Sequence, residues 1–125
     1  VLATGTLVTG SGPHAGSRDE PVARLPLVVR EAARVHGTVV VTLLLVVVVL
    51  VVAVRRDAPH LRGPVRWLVG VVVAQAALGW TQYLTGVPAV LVGLHVAGAT
   101  ALWGSVVMVR LRATDRVRSD VDGPA

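Results

Sequence analysis

Residues 67–109 read WLVGVVVAQAALGWTQYLTGVPAVLVGLHVAGATALWGSVVMV, 43 residues without one Asp, Glu, Lys or Arg. As a single helix this run would be about 65 Å long, twice the hydrocarbon core of a bilayer. It therefore has to fold back on itself. Thr85-Gly86-Val87-Pro88 is the one place in it where Gly and Pro fall together, so the break belongs there. Upstream, residues 37–54 are again free of charge. Runs of this kind suit lipid rather than a water-soluble core, and they predict spans over about 30–54, 65–85 and 88–110. Residues 1–9 read as the last turns of a further helix. The expected class is an all-α integral membrane protein of three complete transmembrane helices plus the tail of a truncated one.

Between the spans the composition changes. Residues 10–26 combine turn formers with mixed charge and read as a loop. Residues 55–64 read as a compact basic loop, and residues 111–125 as a polar tail. Arg55, Arg56, Arg62 and Arg66 occupy 55–66, and Arg110, Arg112, Arg116 and Arg118 follow the last span. The hairpin at 85–88 is uncharged, while four Arg in 10–34 are accompanied by Asp19, Glu20 and Glu31. The asymmetry places 55–66 and the C-terminus in the cytoplasm, with 10–34 and 85–88 outside.

The net charge of +5 does not point to nucleic acid, because the Arg residues cluster at the ends of apolar runs rather than on one aromatic-interleaved face. The lack of cysteine excludes a disulfide, a thiolate site or an iron–sulfur cluster. No signal peptide is visible, and the opening at Val1 leads us to expect a fragment of a longer protein.

Two histidines lie well inside the spans, His36 and His95. A charged group within a bilayer costs at least about 2.5 kcal/mol, which makes each a functional candidate. Neutral imidazole is also an axial ligand of haem iron. His36 lies six to nine residues into its span and His95 seven into its own, so both fall roughly 10 Å below the outer surface. Two readings stand at this point: haem or metal ligands, or histidines hydrogen-bonded to a neighbouring helix. Gly98 and Ala99, one turn on from His95, would leave open space beside the imidazole. Gly93, Ala97, Ala101 and Ser105 form a small-residue stripe suited to close helix approach.

Other polar residues point elsewhere. Gln75 and Gln82 share a face with Leu78 and Gly79 and read as interhelical hydrogen-bond partners. Trp67, Trp80 and Tyr83 read as interfacial anchors. His14 and His60 fall in loops and read as solvated. Arg30 and Arg34 read as solvated or headgroup-facing, with haem propionates as the alternative partner.

The segment from Gly5 through Thr6-Leu7-Val8-Thr9-Gly10-Ser11-Gly12-Pro13-His14-Ala15 to Gly16 resembles the loop after the fifth helix of the haem A synthases, the CtaA family. Arg34-Val35-His36-Gly37 resembles that family's sixth-helix histidine motif. Gln82-Tyr83-Leu84-Thr85-Gly86-Val87-Pro88, with Leu91-Val92-Gly93-Leu94-His95 behind it, is similar to the hairpin between its seventh and eighth helices. The resemblance covers residues 1 to about 110.

The resemblance implies eight helices in two pseudo-symmetric four-helix halves, each with a histidine pair. It implies oxidation of a methyl group of haem O to the formyl group of haem A for cytochrome oxidase assembly. Residues 1–110 would be the C-terminal half, with haem b held by His36 and His95 as axial and metal ligands. The family's substrate half carries a glutamate one turn before its first histidine. Here that position is Ala33, and Glu31 is off that face, so no catalytic residue is expected and the fragment alone is expected to be inactive. Some members carry a cysteine pair in the outer loop, which this chain does not. The implied partners are haem, the missing N-terminal half, the lipid bilayer and an electron donor the sequence does not identify. Two other readings remain: a bis-histidine b-type membrane cytochrome or anchor subunit, and a haem-free transporter piece.

Overall fold

The computed structural model describes residues 1–11 and 29–121. In chain order these form α1 (Leu2–Ser11), α2 (Val29–Asp57), a 3-10 turn (Pro59–Leu61), α3 (Arg62–Leu84) and α4 (Ala89–Val121). No strand occurs among the described residues. Arg30–Asp57, Pro59–Leu84 and Ala89–Asp115 are each long and apolar enough to cross a membrane. This is an all-α, multi-pass membrane protein.

Three boundaries differ from the sequence reading. Gly10 and Ser11 belong to α1 rather than to a loop, because the hydroxyls of Thr9 and Ser11 donate to the carbonyls of Gly5 and Leu7 and close the last turn. The basic segment 55–64 is mostly helical. Arg55 and Arg56 end α2, Pro59 opens the 3-10 turn, and Pro64 sits in the first turn of α3, where its missing N–H leaves no bond unmade. Arg62 Nη2 donates to the Arg55 carbonyl at 2.9 Å, satisfying an acceptor at the end of α2. Finally, α4 runs to Val121 instead of ending near 110, since no Gly or Pro interrupts residues 111–121. The remainder of the first loop, with His14, lies outside the described residues, as does the end of the polar tail.

The chain forms two compact units, Val1–Val46 and Val47–Ala125. The first contains α1 and the opening of α2. Within it, Thr4, Gly5, Val8, Gly10 and Ser11 are the more covered positions of α1, and Ala32, Ala33, His36, Val39, Val40 and Leu43 those of α2.

In the second unit α3 and α4 form an antiparallel pair. From Leu61 of the 3-10 turn into α3, the covered positions Leu61, Val65, Leu68, Val72, Gln75, Gly79 and Gln82 fall at alternating steps of four and three, flanked by Pro64, Val69, Val71 and Leu78. On α4 the same alternation gives Leu91, His95, Gly98, Leu102, Ser105, Val109. This 3.5-residue repeat keeps one seam facing a partner helix. The expected stripe of Gly93, Ala97, Ala101 and Ser105 is not that seam: the first three are exposed and only Ser105 is buried, at 2 %. A four-residue step drifts around the helix, whereas alternating four and three does not.

The seam changes character along its length. At one end Val54, Leu61 and Val65 form a core with Leu50, Val51, Val69 and Val109 packed on it, and the exposed Arg55, Arg56, Arg62, Arg66, Arg110 and Arg112 surround that end. Toward the other end it turns polar and small, through Gln75, Gly79, Gln82, His95 and Gly98. There α3 stops in a left-handed cap. Gly86 has φ +76° and Val87 φ +60°, and the Val87 N–H donates to the Gln82 carbonyl at 2.8 Å. The exposed rings of Trp80 and Tyr83 lie beside this turn, 6.2 Å apart, as interfacial anchors do.

Leu68 is 3 % exposed and Leu45 63 %. Leu68→Ala should cost about 2 kcal/mol by opening a cavity in the seam. Leu45→Ala, on a face open to lipid, should change stability by less than about 0.5 kcal/mol. Unfolding in mixed detergent micelles, followed by helical circular dichroism, compares the two.

Candidate functional site

Each intramembrane histidine packs against a glycine of the preceding helix. In the first unit a Cβ built on Gly5 of α1 would lie 3.4 Å from Cε1 of His36 on α2. In the second, a Cβ on Gly79 of α3 would lie 3.1 Å from Cε1 of His95 on α4, and 3.7 and 3.8 Å from its two nitrogens. In each pair it is Cε1 of the ring that comes nearest the glycine. A residue larger than Gly at position 79 would push the imidazole aside.

Polar contacts add to this seating. Thr4 Oγ1 lies 3.0 Å from Nδ1 of His36, and the same hydroxyl donates to the Val1 carbonyl at 2.9 Å. In the second unit Gln75 Nε2 donates to the main-chain carbonyl of His95 at 3.2 Å. Gln75 is thus an interhelical partner, as its place on the face with Gly79 suggested. Its Oε1 is buried and finds no hydrogen-bond partner among the described residues.

Gly98 serves a different purpose from the one its position suggested. It does not open space beside the imidazole, because the amide of Gln75 fills the place its side chain would take. The close neighbour of the His95 ring is Gly79. Gly5 and Gly79 are the ring neighbours that sequence reasoning did not connect to the histidines, and the signal for Gly79 lies in the seam register: it is on the four-three repeat that faces α4.

The remaining candidates stand apart from the two rings. His60 is exposed in the 3-10 turn, and Arg30, Glu31 and Arg34 are exposed on α2. Ala33 occupies the position one turn before His36, with no acid there. Among the described residues no three His, Cys, Asp or Glu side chains gather into an all-protein metal cage. Haem makes a different demand, since the porphyrin brings four nitrogens and asks the protein only for axial ligands. His36 and His95, one in each unit, are the imidazoles that the interiors of the spans offer.

The chain matches COX15-CtaA, a family described as cytochrome oxidase assembly protein, over residues 3–107. It belongs to this family. Cytochrome oxidase assembly through haem A synthesis is the role that membership supports, and haem binding in general comes with it. No curated protein and no solved structure matches the chain. The matched stretch contains Thr4, Gly5, His36, Gln75, Gly79 and His95, so both seated imidazoles lie within the family region.

Gly93 and Gly79 occupy opposite situations on their helices. Nothing lies within 4 Å of a Cβ on Gly93. Gly93→Ala should stabilise the protein by up to about 1 kcal/mol through helix propensity. Gly79→Ala should lose that gain and more, because the His95 ring must shift. Denaturation midpoints of the two variants should move in opposite directions.

Proposed function

We propose that this chain is the C-terminal, cofactor-haem half of a haem A synthase, with His36 and His95 as the axial ligands of a b-type haem. Domain and orientation follow the same reading. Residues 1–110 form the haem-binding membrane half, and residues 111–125 extend from it into the cytoplasm. The Arg-rich end of the second unit faces the cytoplasm in the cell membrane, and the uncharged 85–88 hairpin faces outside.

The observation that carries this reading is the repeated glycine seat. Two helix pairs, built from unrelated neighbouring side chains, each set a glycine beside an imidazole ring, closely at Gly79 and at ordinary contact distance at Gly5. The positions along the helices support the pairing as well. His36 is seven residues after the first residue of α2 and His95 six after the first of α4, a difference of about 1.5 Å in rise.

Haem bound here supplies one-electron redox chemistry, which axial ligation and burial tune. The chain's own residues do the rest. The glycines fix where each ring can lie, Gln75 ties α3 to α4 at His95, and the surrounding Val and Leu keep water away. With Ala33 in place of an acid one turn before His36, oxidation of the substrate methyl group belongs to the other half of the protein. A b-type membrane cytochrome would use the same two histidines, and membership of an oxidase assembly family favours the synthase reading.

A reduced-minus-oxidised absorption spectrum of the haem-loaded protein tests the ligands. The wild type should show a six-coordinate b-type spectrum. His36→Ala and His95→Ala should each lose it or become high-spin. Retention of the low-spin spectrum in either variant would remove that histidine from the site.

A further inference from the structure

The Thr4 hydroxyl has one hydrogen to give and donates it to the Val1 carbonyl at 2.9 Å. Its oxygen, 3.0 Å from Nδ1 of His36, is then left to accept. The hydrogen of that second bond must come from the ring, so Nδ1 is the protonated nitrogen. A neutral imidazole protonated at Nδ1 carries its lone pair on Nε2. The first turn of α1 thus presents an acceptor to one side of the ring and decides which nitrogen can coordinate.

We infer that Thr4 is a positioning residue: its hydroxyl holds His36 in the Nδ1–H tautomer and so selects Nε2 as the iron-binding nitrogen. The inference rests on the haem reading above. An acceptor on the far N–H of a ligating histidine fixes the ring's orientation and raises its basicity. A more basic ligand favours the oxidised metal, so the Thr4 hydroxyl holds the reduction potential of the site down. Gly5, the next residue, lies beside the same edge of the ring, with Cε1 3.4 Å from where its Cβ would be. Adjacent residues therefore border and orient the same ring.

The test is a redox titration of the haem-loaded protein with Thr4→Val, which keeps the shape and removes the hydroxyl, and Thr4→Ser, which keeps the hydroxyl. Thr4→Val should retain a low-spin bis-histidine spectrum while its midpoint potential moves positive, and Thr4→Ser should return toward the wild-type value. A purely packing role would not produce that rescue. Thr4→Ala carries the same expectation and replaces the isosteric variant if that one does not fold. A wild-type potential in both hydroxyl-free variants would overturn the inference while leaving the ligand assignment standing. A low-spin spectrum that survives His36→Ala would instead overturn the ligand assignment.

Discussion

A ring on one membrane helix can press its edge closely against the neighbouring helix only where that helix offers no side chain of its own. The rest of this structure follows from that constraint at two places, Gly5 under His36 and Gly79 under His95. Each glycine loses helix propensity worth about 1 kcal/mol relative to alanine. In return, each ring is held at a single position against rigid backbone rather than among mobile side chains. The α3–α4 seam is organised around the same point. Its apolar half, from Leu61 to Val72, supplies adhesion, and its polar half, from Gln75 to Gln82, supplies the surroundings of His95.

Lipid imposes the second layer of order. Hydroxyls on these helices turn back to their own backbone, as Thr38 does to Arg34, Thr42 to Thr38, Thr81 to Ala77 and Ser105 to Ala101. Such bonds are what a hydroxyl finds when no water is present. Thr4 combines the two uses, donating to its own helix and accepting from His36. Gln75 reaches across to the His95 carbonyl, a second bond on an acceptor that has two lone pairs. In this setting a side chain that crosses between helices marks the place where the helices hold something specific.

Much of this was legible in the sequence. Long uncharged runs dictated the spans, and Gly86 with Pro88 dictated the fold-back, because both signals depend only on local chemistry. The two histidines stood out because ionisable groups are costly in lipid. Helix ends were less legible: Pro59 and Pro64 looked like loop formers but occupy first turns, where proline is tolerated. The packing face of α4 is not legible from composition, since the stripe of small residues at four-residue steps, suited to close approach, stays exposed except at Ser105. The seam follows alternating steps of four and three instead, and only that register reveals Gly79 opposite His95 and Gln75 over Gly98. A tertiary register depends on both helices at once, and no single run of residues carries it.

Pulsed electron paramagnetic resonance of the ferric, haem-loaded protein with nitrogen-15-labelled histidine addresses the ligand set directly. Two histidine nitrogens coupled to the iron, one lost with His36→Ala and one with His95→Ala, is the predicted result. Coupling to no histidine nitrogen, or couplings that survive both substitutions, would contradict it.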